Sequence, residues 1–316
     1  MCAPCLLADY PRTLLDHRGG AKSEILNETH LNESSEQEHM SKLEELSEPE
    51  LVQAIENNMF EFFMTFRRWP RMEVHDDPDM LWSITNIPFP LFNSVFRTKL
   101  EPQNADAVIE TTLKRYKARN VPMMWWTGPT TRPKNLGTIL ETHGLVNEEG
   151  DSPGMAVDLH ALNASLNRPA GLEVELVNDE ESLRKWSEAV TAAASMPEFV
   201  SEPMFDLFIK LGFGKTSLVR NYFGRLNGEV VATSSLFLGS GVAGIYNVAT
   251  LPKVRRQGIG NAMTLEPLRE AHALGYQIGV LTSSQLGVGV YRKIGFKECC
   301  KIGQYLWTKP GNHSVS

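Results

Sequence analysis

Several chemistries are excluded by what this chain of 316 residues lacks. Its four cysteines, Cys2, Cys5, Cys299 and Cys300, form neither a disulfide framework nor a zinc spacing. Cys2-Ala-Pro-Cys5 is a Cys-x-x-Cys without a partner pair, so reduced thiols, a cytoplasmic setting and no metal are expected. No run of about 18 apolar residues appears, so no membrane span is expected. The N-terminus has no basic start followed by an apolar segment, so no signal peptide is expected. There is no basic stripe interleaved with aromatics, so nucleic acid is not an expected partner.

What is present suits a globular chain. Hydrophobic residues make up 42%, and the length allows two domains. Residues 1–50 hold four basic and eleven acidic residues, which accounts for the whole net charge of −7. The acidity therefore belongs to the N-terminal stretch, in which residues 17–41, rich in Gly, Ser, Glu, Asn and Gln, predict a disordered or weakly helical arm.

The most informative stretch is Asn247 to Ala262. An apolar run from Val242 to Leu251 predicts a strand, stopped by Pro252. Lys253, Arg255 and Arg256 follow, then Gly258 and Gly260, then a helical pattern through Met263, Leu265 and Leu268. A strand, a basic glycine-containing turn and a helix N-terminus together favour an anion. The P-loop pattern is missing, and so is the third glycine of a dinucleotide fingerprint, where Met263 stands. Gly212-Phe-Gly-Lys-Thr216 lacks its leading glycine, because Ile209 occupies that place.

Arg255-Arg-Gln-Gly258-Ile-Gly260 does resemble the acetyl-CoA pyrophosphate loop of the GNAT superfamily of N-acetyltransferases. Downstream, Gln277 to Thr282 predicts a buried strand, and Val290-Tyr-Arg-Lys-Ile-Gly-Phe296 is similar to the superfamily's Tyr-x-x-x-Gly-Phe. The resemblance runs from Val242 to Trp307. It implies that acetyl-CoA lies between two diverging strands. Val248, Ala249 and Thr250 would bond the pantetheine arm, and Arg255, Arg256, Gln257, Gly258, Ile259, Gly260, Asn261 and Ala262 would surround the pyrophosphate. Ser284 and Gly287 fall on the turn after the second strand, Ser284 where many relatives carry asparagine. Tyr291 matches the general acid that protonates the departing thiolate, although a core tyrosine is an alternative reading.

The remaining pattern predicts an α+β tandem of GNAT-type domains, each a mixed, mostly antiparallel sheet flanked by helices. The boundaries are a leader at 1–41, a degenerate first copy at 42–160, a linker at 161–171 and the acetyl-CoA-binding catalytic copy at 172–316. In the first copy two helices broken near Pro49 are expected, then strands 81–85 and 91–96, a helix 105–118, strand 122–127, helix 133–143 and strand 155–159. In the second, strand 172–177 precedes a helix capped by Asp179, a helix 202–211 and a hairpin turning at Asn227-Gly228. Leu140-Glu-Thr-His-Gly-Leu145 echoes Tyr291-Arg-Lys-Ile-Gly-Phe296. The first copy has Glu101-Pro-Gln-Asn-Ala-Asp106 in place of the phosphate loop, without glycine and with acid in place of arginine.

The resemblance implies transfer of an acyl group, most simply acetyl, from acetyl-CoA to an amine of a small molecule or peptide. A second copy of the chain, as in a homodimer, is a further candidate partner. Where several relatives carry a basic glutamate, this chain has Gly244. Tyr246 and Asn247 are not competent bases, and Glu198, Glu202 and Asp206 are candidates near the acceptor mouth. The 196–204 segment, with Trp125 and Trp126, is a candidate acceptor wall. Two alternatives stay open: an acyl-CoA decarboxylase or hydrolase, and a non-catalytic CoA sensor or scaffold.

Overall fold

The computed structural model describes residues 47–147, 149–163 and 165–309. The first half contains α1 (Glu48–Thr65), β1 (Glu73–Asp76), β2 (Leu81–Ile84), β3 (Ser94–Phe96), α2 (Ala105–Arg119), β4 (Met123–Thr127), α3 (Leu136–Thr142) and β5 (Ser152–Asp158). The second contains β6 (Leu172–Leu176), α4 (Glu180–Ala193), α5 (Ser201–Leu211), β7 (Val219–Leu226), β8 (Glu229–Gly239), β9 (Val242–Thr250), α6 (Ile259–Ala273), β10 (Ile278–Thr282), α7 (Val288–Ile294) and β11 (Lys297–Trp307). From α1 onward the first half repeats the order of the second: helix, three strands, helix, strand, helix, strand.

All eleven strands lie in one sheet of order β1-β2-β3-β4-β11-β5-β10-β9-β8-β7-β6. The last strand of each half is exchanged. β11 runs antiparallel between β4 and β5, and β5 runs antiparallel between β11 and β10. Neither half closes its sheet without the other. This α+β architecture of tandem GNAT type, with mixed pairing and helices on both faces, matches the sequence expectation.

α1 lies on the face it shares with α4 and α5, over the exchanged strands. Phe62 and Phe63 face both ways from it: Phe62 meets Phe237 and Tyr246 of the second half, and Phe63 meets Phe96 and Trp126 of the first. These rings belong to one core with Trp186, Phe205 and Phe208. Burying such aromatic area on both sides fixes α1 between the halves. A second core under α6 and α7 joins Met155 and Val157 of β5 to Ile245, Leu268, Tyr291 and Phe296.

Local rules hold at several predicted points. Asp179 caps α4 by accepting from the Ser182 N–H at 2.7 Å. Asn227 and Gly228 both have positive φ, 52° and 86°, as the tight hairpin requires. Helices α3 and α7 end alike: the Leu145 N–H reaches the Leu140 carbonyl at 3.1 Å, and the Phe296 N–H reaches the Tyr291 carbonyl at 3.0 Å. The intervening Gly144 and Gly295 have φ of 83° and 119°.

Other expectations need correction. Pro49 does not break a helix; it sits in the first turn of α1, where a missing N–H leaves no bond unmade. The 43–46 part of that reading, the leader and Cys2 and Cys5 lie outside the described residues. Residues 90–92 form a single 3-10 turn, and the strand begins at Ser94, because Pro90 starts a turn closed by the Asn93 N–H. α3 begins at Leu136 instead of Pro133, after a cis Arg132–Pro133 bond. β1, on the sheet edge, has no clear alternation to announce it.

Candidate acyl-CoA site

β9 and β10 run parallel but pair only at Ala243–Gly279 and Gly244–Val280. Beyond Gly244 they separate, and the cause lies in β9. Its register with β8 shifts between Thr233 and Ser235, and Asn247 at the shift has φ 51°. Such a bulge bends a strand away from its neighbour. Asn247 is held there by its own side chain, whose Nδ2 donates to Ser235 Oγ at 3.0 Å, and by Thr233 Oγ1 donating to its carbonyl at 2.8 Å. Ser235 in turn donates to Asn221 Oδ1 at 2.6 Å. Ala249 and Thr250 pair with Thr233 and Ala232 of β8 on one side, while the β9 edge from Val248 to Thr250 that faces β10 is left without a strand partner.

The wedge leads to the N-terminus of α6. A short turn at Pro252–Val254 is followed by Arg256 at φ 65° and Gly258 at φ 81°. The first helical bond runs from the Ala262 N–H to the Gly258 carbonyl. The N–H groups of Ile259, Gly260 and Asn261 therefore have no helical acceptor. The first turn of α6 carries no acid and no side-chain cap. A Cβ on Gly260 would meet nothing closer than Val290 Cγ1 at 3.6 Å, so the protein itself leaves that surface clear. Orphan donors, a helix dipole and cleared space suit a pyrophosphate.

The two arginines differ in their tasks. Arg255 donates from Nε to the Thr250 carbonyl at 3.0 Å and from a terminal nitrogen to the Ala193 carbonyl at 2.9 Å. It ties the loop to the ends of β9 and α4. Arg256 is exposed and has no ion-pair partner among the described residues, which leaves its charge for a ligand. Gln257, next in the chain, is exposed, and Ala262 is buried in the core under α6. At the far side, Glu270 holds α6 to the sheet by accepting from Arg220 at 2.7 Å and Tyr222 at 3.0 Å.

Tyr291 is buried on α7, edge-on to Phe296. Its ring packs against Gly287: a Cβ there would lie 2.9 Å from Tyr291 Cε2 and 3.0 Å from Ser283 Oγ. Only glycine lets the ring sit against the turn that ends β10. Ser284 is half-buried in that turn, its carbonyl accepting from the Gly287 N–H at 3.0 Å. Asn247–Thr250 and the 255–261 loop thus continue β9, while Ser284, Gly287 and Tyr291 follow the end of β10.

Over the other face stands a residue the sequence did not announce. Asn58 of α1 donates to the Gly239 carbonyl at 2.8 Å and the Val242 carbonyl at 3.4 Å, and its Oδ1 accepts from the Tyr246 hydroxyl. It occupies the space a side chain on Gly244 would need. No local pattern in α1 signals this, since the contact spans the whole chain. Of the candidate bases, Glu202 pairs with Arg184 at 2.9 Å and Asp206 with Arg71 at 2.8 Å, both at the surface, and Glu198 is exposed. Trp125 and Trp126 are buried in two different cores and form no open wall. His272 lies at the end of α6 opposite the loop, beside His160 at 3.2 Å.

The first half has no such wedge. β3 and β4 are rejoined by the 131–132 segment: the Arg132 N–H donates to the Thr98 carbonyl and the Leu100 N–H to the Arg132 carbonyl, both at 3.0 Å. Backbone thus occupies the strand edge that β9 leaves open in the second half. No group of three or more metal-ligating side chains occurs among the described residues, and no described helix is long and apolar enough to cross a membrane.

Comparison with known proteins agrees with this geometry. Residues 183–296 match the model of the acetyltransferase (GNAT) family. Among solved structures, a GCN5-related N-acetyltransferase from Kribbella flavida superposes with a TM-score of 0.60 at 20% identity, covering 79% of this chain and 93% of that one. A GCN5-related N-acetyltransferase from Sphaerobacter thermophilus gives 0.54 at 15%, covering 82% and 92%. A tandem GNAT protein from the clavulanic acid biosynthesis pathway gives 0.52 at 12%, covering 75% and 83%. A search of curated proteins finds no match.

Proposed function

We propose that the chain is an acyl-CoA-dependent N-acyltransferase, in its simplest form an N-acetyltransferase acting on an amine of a small molecule or peptide. The observation that carries this reading is the continuity of the bulge at Asn247, the open edge of β9 and the orphan N–H groups of α6. Residues 172–307 hold the cofactor site, and 47–160 are a copy whose wedge is closed. Acetyl-CoA supplies an activated thioester. The protein's part is to bind, aim and protonate. Backbone groups from Val248 to Thr250 hold the pantetheine arm like an added strand. The N–H groups of Ile259 to Asn261 and the Arg256 charge hold the pyrophosphate, with Gln257 and Gly258 shaping the turn. Holding amine and thioester together lowers the barrier, as do backbone donors at the bulge aimed at the developing oxyanion. Tyr291, fixed by Gly287, donates a proton to the departing thiolate.

No carboxylate of β9 acts as base, since the strand carries none and Asn58 fills the space beside Gly244. The acceptor amine loses its proton to another group or to water. The test is thiol release from acetyl-CoA across amines, amino acids and peptides, for wild type and Tyr291→Phe. Acceptor-dependent release that drops in the variant supports the reading. Release without acceptor indicates hydrolysis or decarboxylation, and CoA binding without turnover indicates a sensor.

A further inference from the structure

The closure that removes the first wedge creates something in its place. Lys99 and Arg132 are partners in the parallel bridge between the segments after β3 and β4. Cross-strand partners project to the same face about 5 Å apart, and like charges so placed repel. Both side chains are exposed, and among the described residues neither has an acidic partner. Arg132 is held in place by donating to the Pro129 and Thr131 carbonyls at 3.1 and 2.7 Å. Lys134 adds a third cation, donating to the Pro129 carbonyl at 2.6 Å.

The pair lines a cavity of about 730 Å³ between the start of α1, the 129–132 turn and β11. Its other walls are largely apolar, with Pro49, Val52, Pro129, Cys299 and Cys300, and Glu48 stands among them. Glu56, below, lies within reach of the charges of Lys99 and Lys134 but forms no ion pair with either. Its carboxylate accepts from the Thr130 N–H at 3.1 Å and the Thr130 hydroxyl at 3.0 Å, and it is 1% exposed. Two exposed cations without an ion-pair partner among the described residues, beside a wall with Pro49, Val52, Pro129, Cys299 and Cys300, favour a ligand with one anionic end and an apolar body.

We propose that this cavity binds a small organic carboxylate, with Lys99 and Arg132 taking the carboxylate and the α1–β11 walls taking the apolar part. The site belongs to the first half and is separate from the wedge between β9 and β10. Its failure would leave the acyl-CoA reading untouched. An occupant would relieve the Lys99–Arg132 repulsion, which gives the binding its electrostatic drive.

The test uses the full chain and hexanoate as probe, with hexylamine and inorganic phosphate alongside. Binding is read as protection of half-buried Cys299 from iodoacetamide, resolved by peptide mass spectrometry, and by calorimetry. Saturable protection by hexanoate is expected, weakened about tenfold or more in Lys99→Met and in Arg132→Met, with hexylamine inert. Both side chains are exposed, so unfolding temperatures at or above wild type are expected for both variants, and these exclude misfolding. Absence of saturable protection, equal protection by hexylamine or phosphate, or undiminished binding in the double variant would overturn the proposal.

Discussion

The Asn58 amide lies directly over Gly244, one hundred and eighty-six residues along the chain, and takes the volume of the side chain that Gly244 lacks. The first half thereby completes the packing of the second at this position. Gly244→Ala would drive its methyl into Asn58 and Tyr246. We expect a loss of about 1–3 kcal/mol, read as a lower denaturation midpoint, with much of it restored by Asn58→Gly in the double variant. Additive losses would contradict direct contact.

Glu56 gives a pH signature. Burial pushes its pKa up to about 7, against opposing hydrogen bonds from Thr130 and the charges of Lys134 and Lys99. Below its ordinary value near 4.5 the carboxyl is protonated folded and unfolded alike. As pH rises towards 7 the unfolded chain releases the proton and the folded chain keeps it, so stability falls over that window and levels above it. The stability of Glu56→Gln relative to wild type should therefore rise between pH 5 and 8, by up to about 3 kcal/mol. A pH-independent difference would refute the elevated pKa.

Asn247 carries the bulge at φ 51°. Asn247→Gly should keep the backbone and lose only the bond to Ser235. Asn247→Val, β-branched, should cost about 1–3 kcal/mol and weaken CoA binding. Thermal unfolding and CoA titration of both variants check this. Equal stability and affinity in the two would show that the bulge places no demand on the residue.

Much of this site could be read along the chain because its parts are local. A strand, a turn, two glycines and a helix start lie within twenty residues, and Tyr291 follows at a fixed spacing. The repeat was also legible, since helix ends such as Gly144 and Gly295 obey local sterics. The exchange of β5 and β11 was not legible. Pairing choices between distant strands leave no periodic trace, and an exchanged strand alternates like any other. The closing of the first wedge by Arg132 escaped for the same reason: it is made of backbone bonds. Asn58 escaped because its partners are a glycine and two carbonyls, none of which marks the sequence of α1.

The proposed function requires that one CoA bind, in the second half, at the N-terminus of α6. It is tested by calorimetric titration of CoA into wild type and Gly260→Asp. The room beside Gly260 and the helix dipole both favour an aspartate in the fold, so the variant should unfold no earlier than wild type. We expect one CoA per chain for wild type and an affinity at least about tenfold weaker in the variant, where the new charge faces the pyrophosphate. Two molecules per chain, or an unchanged affinity in Gly260→Asp, would contradict it.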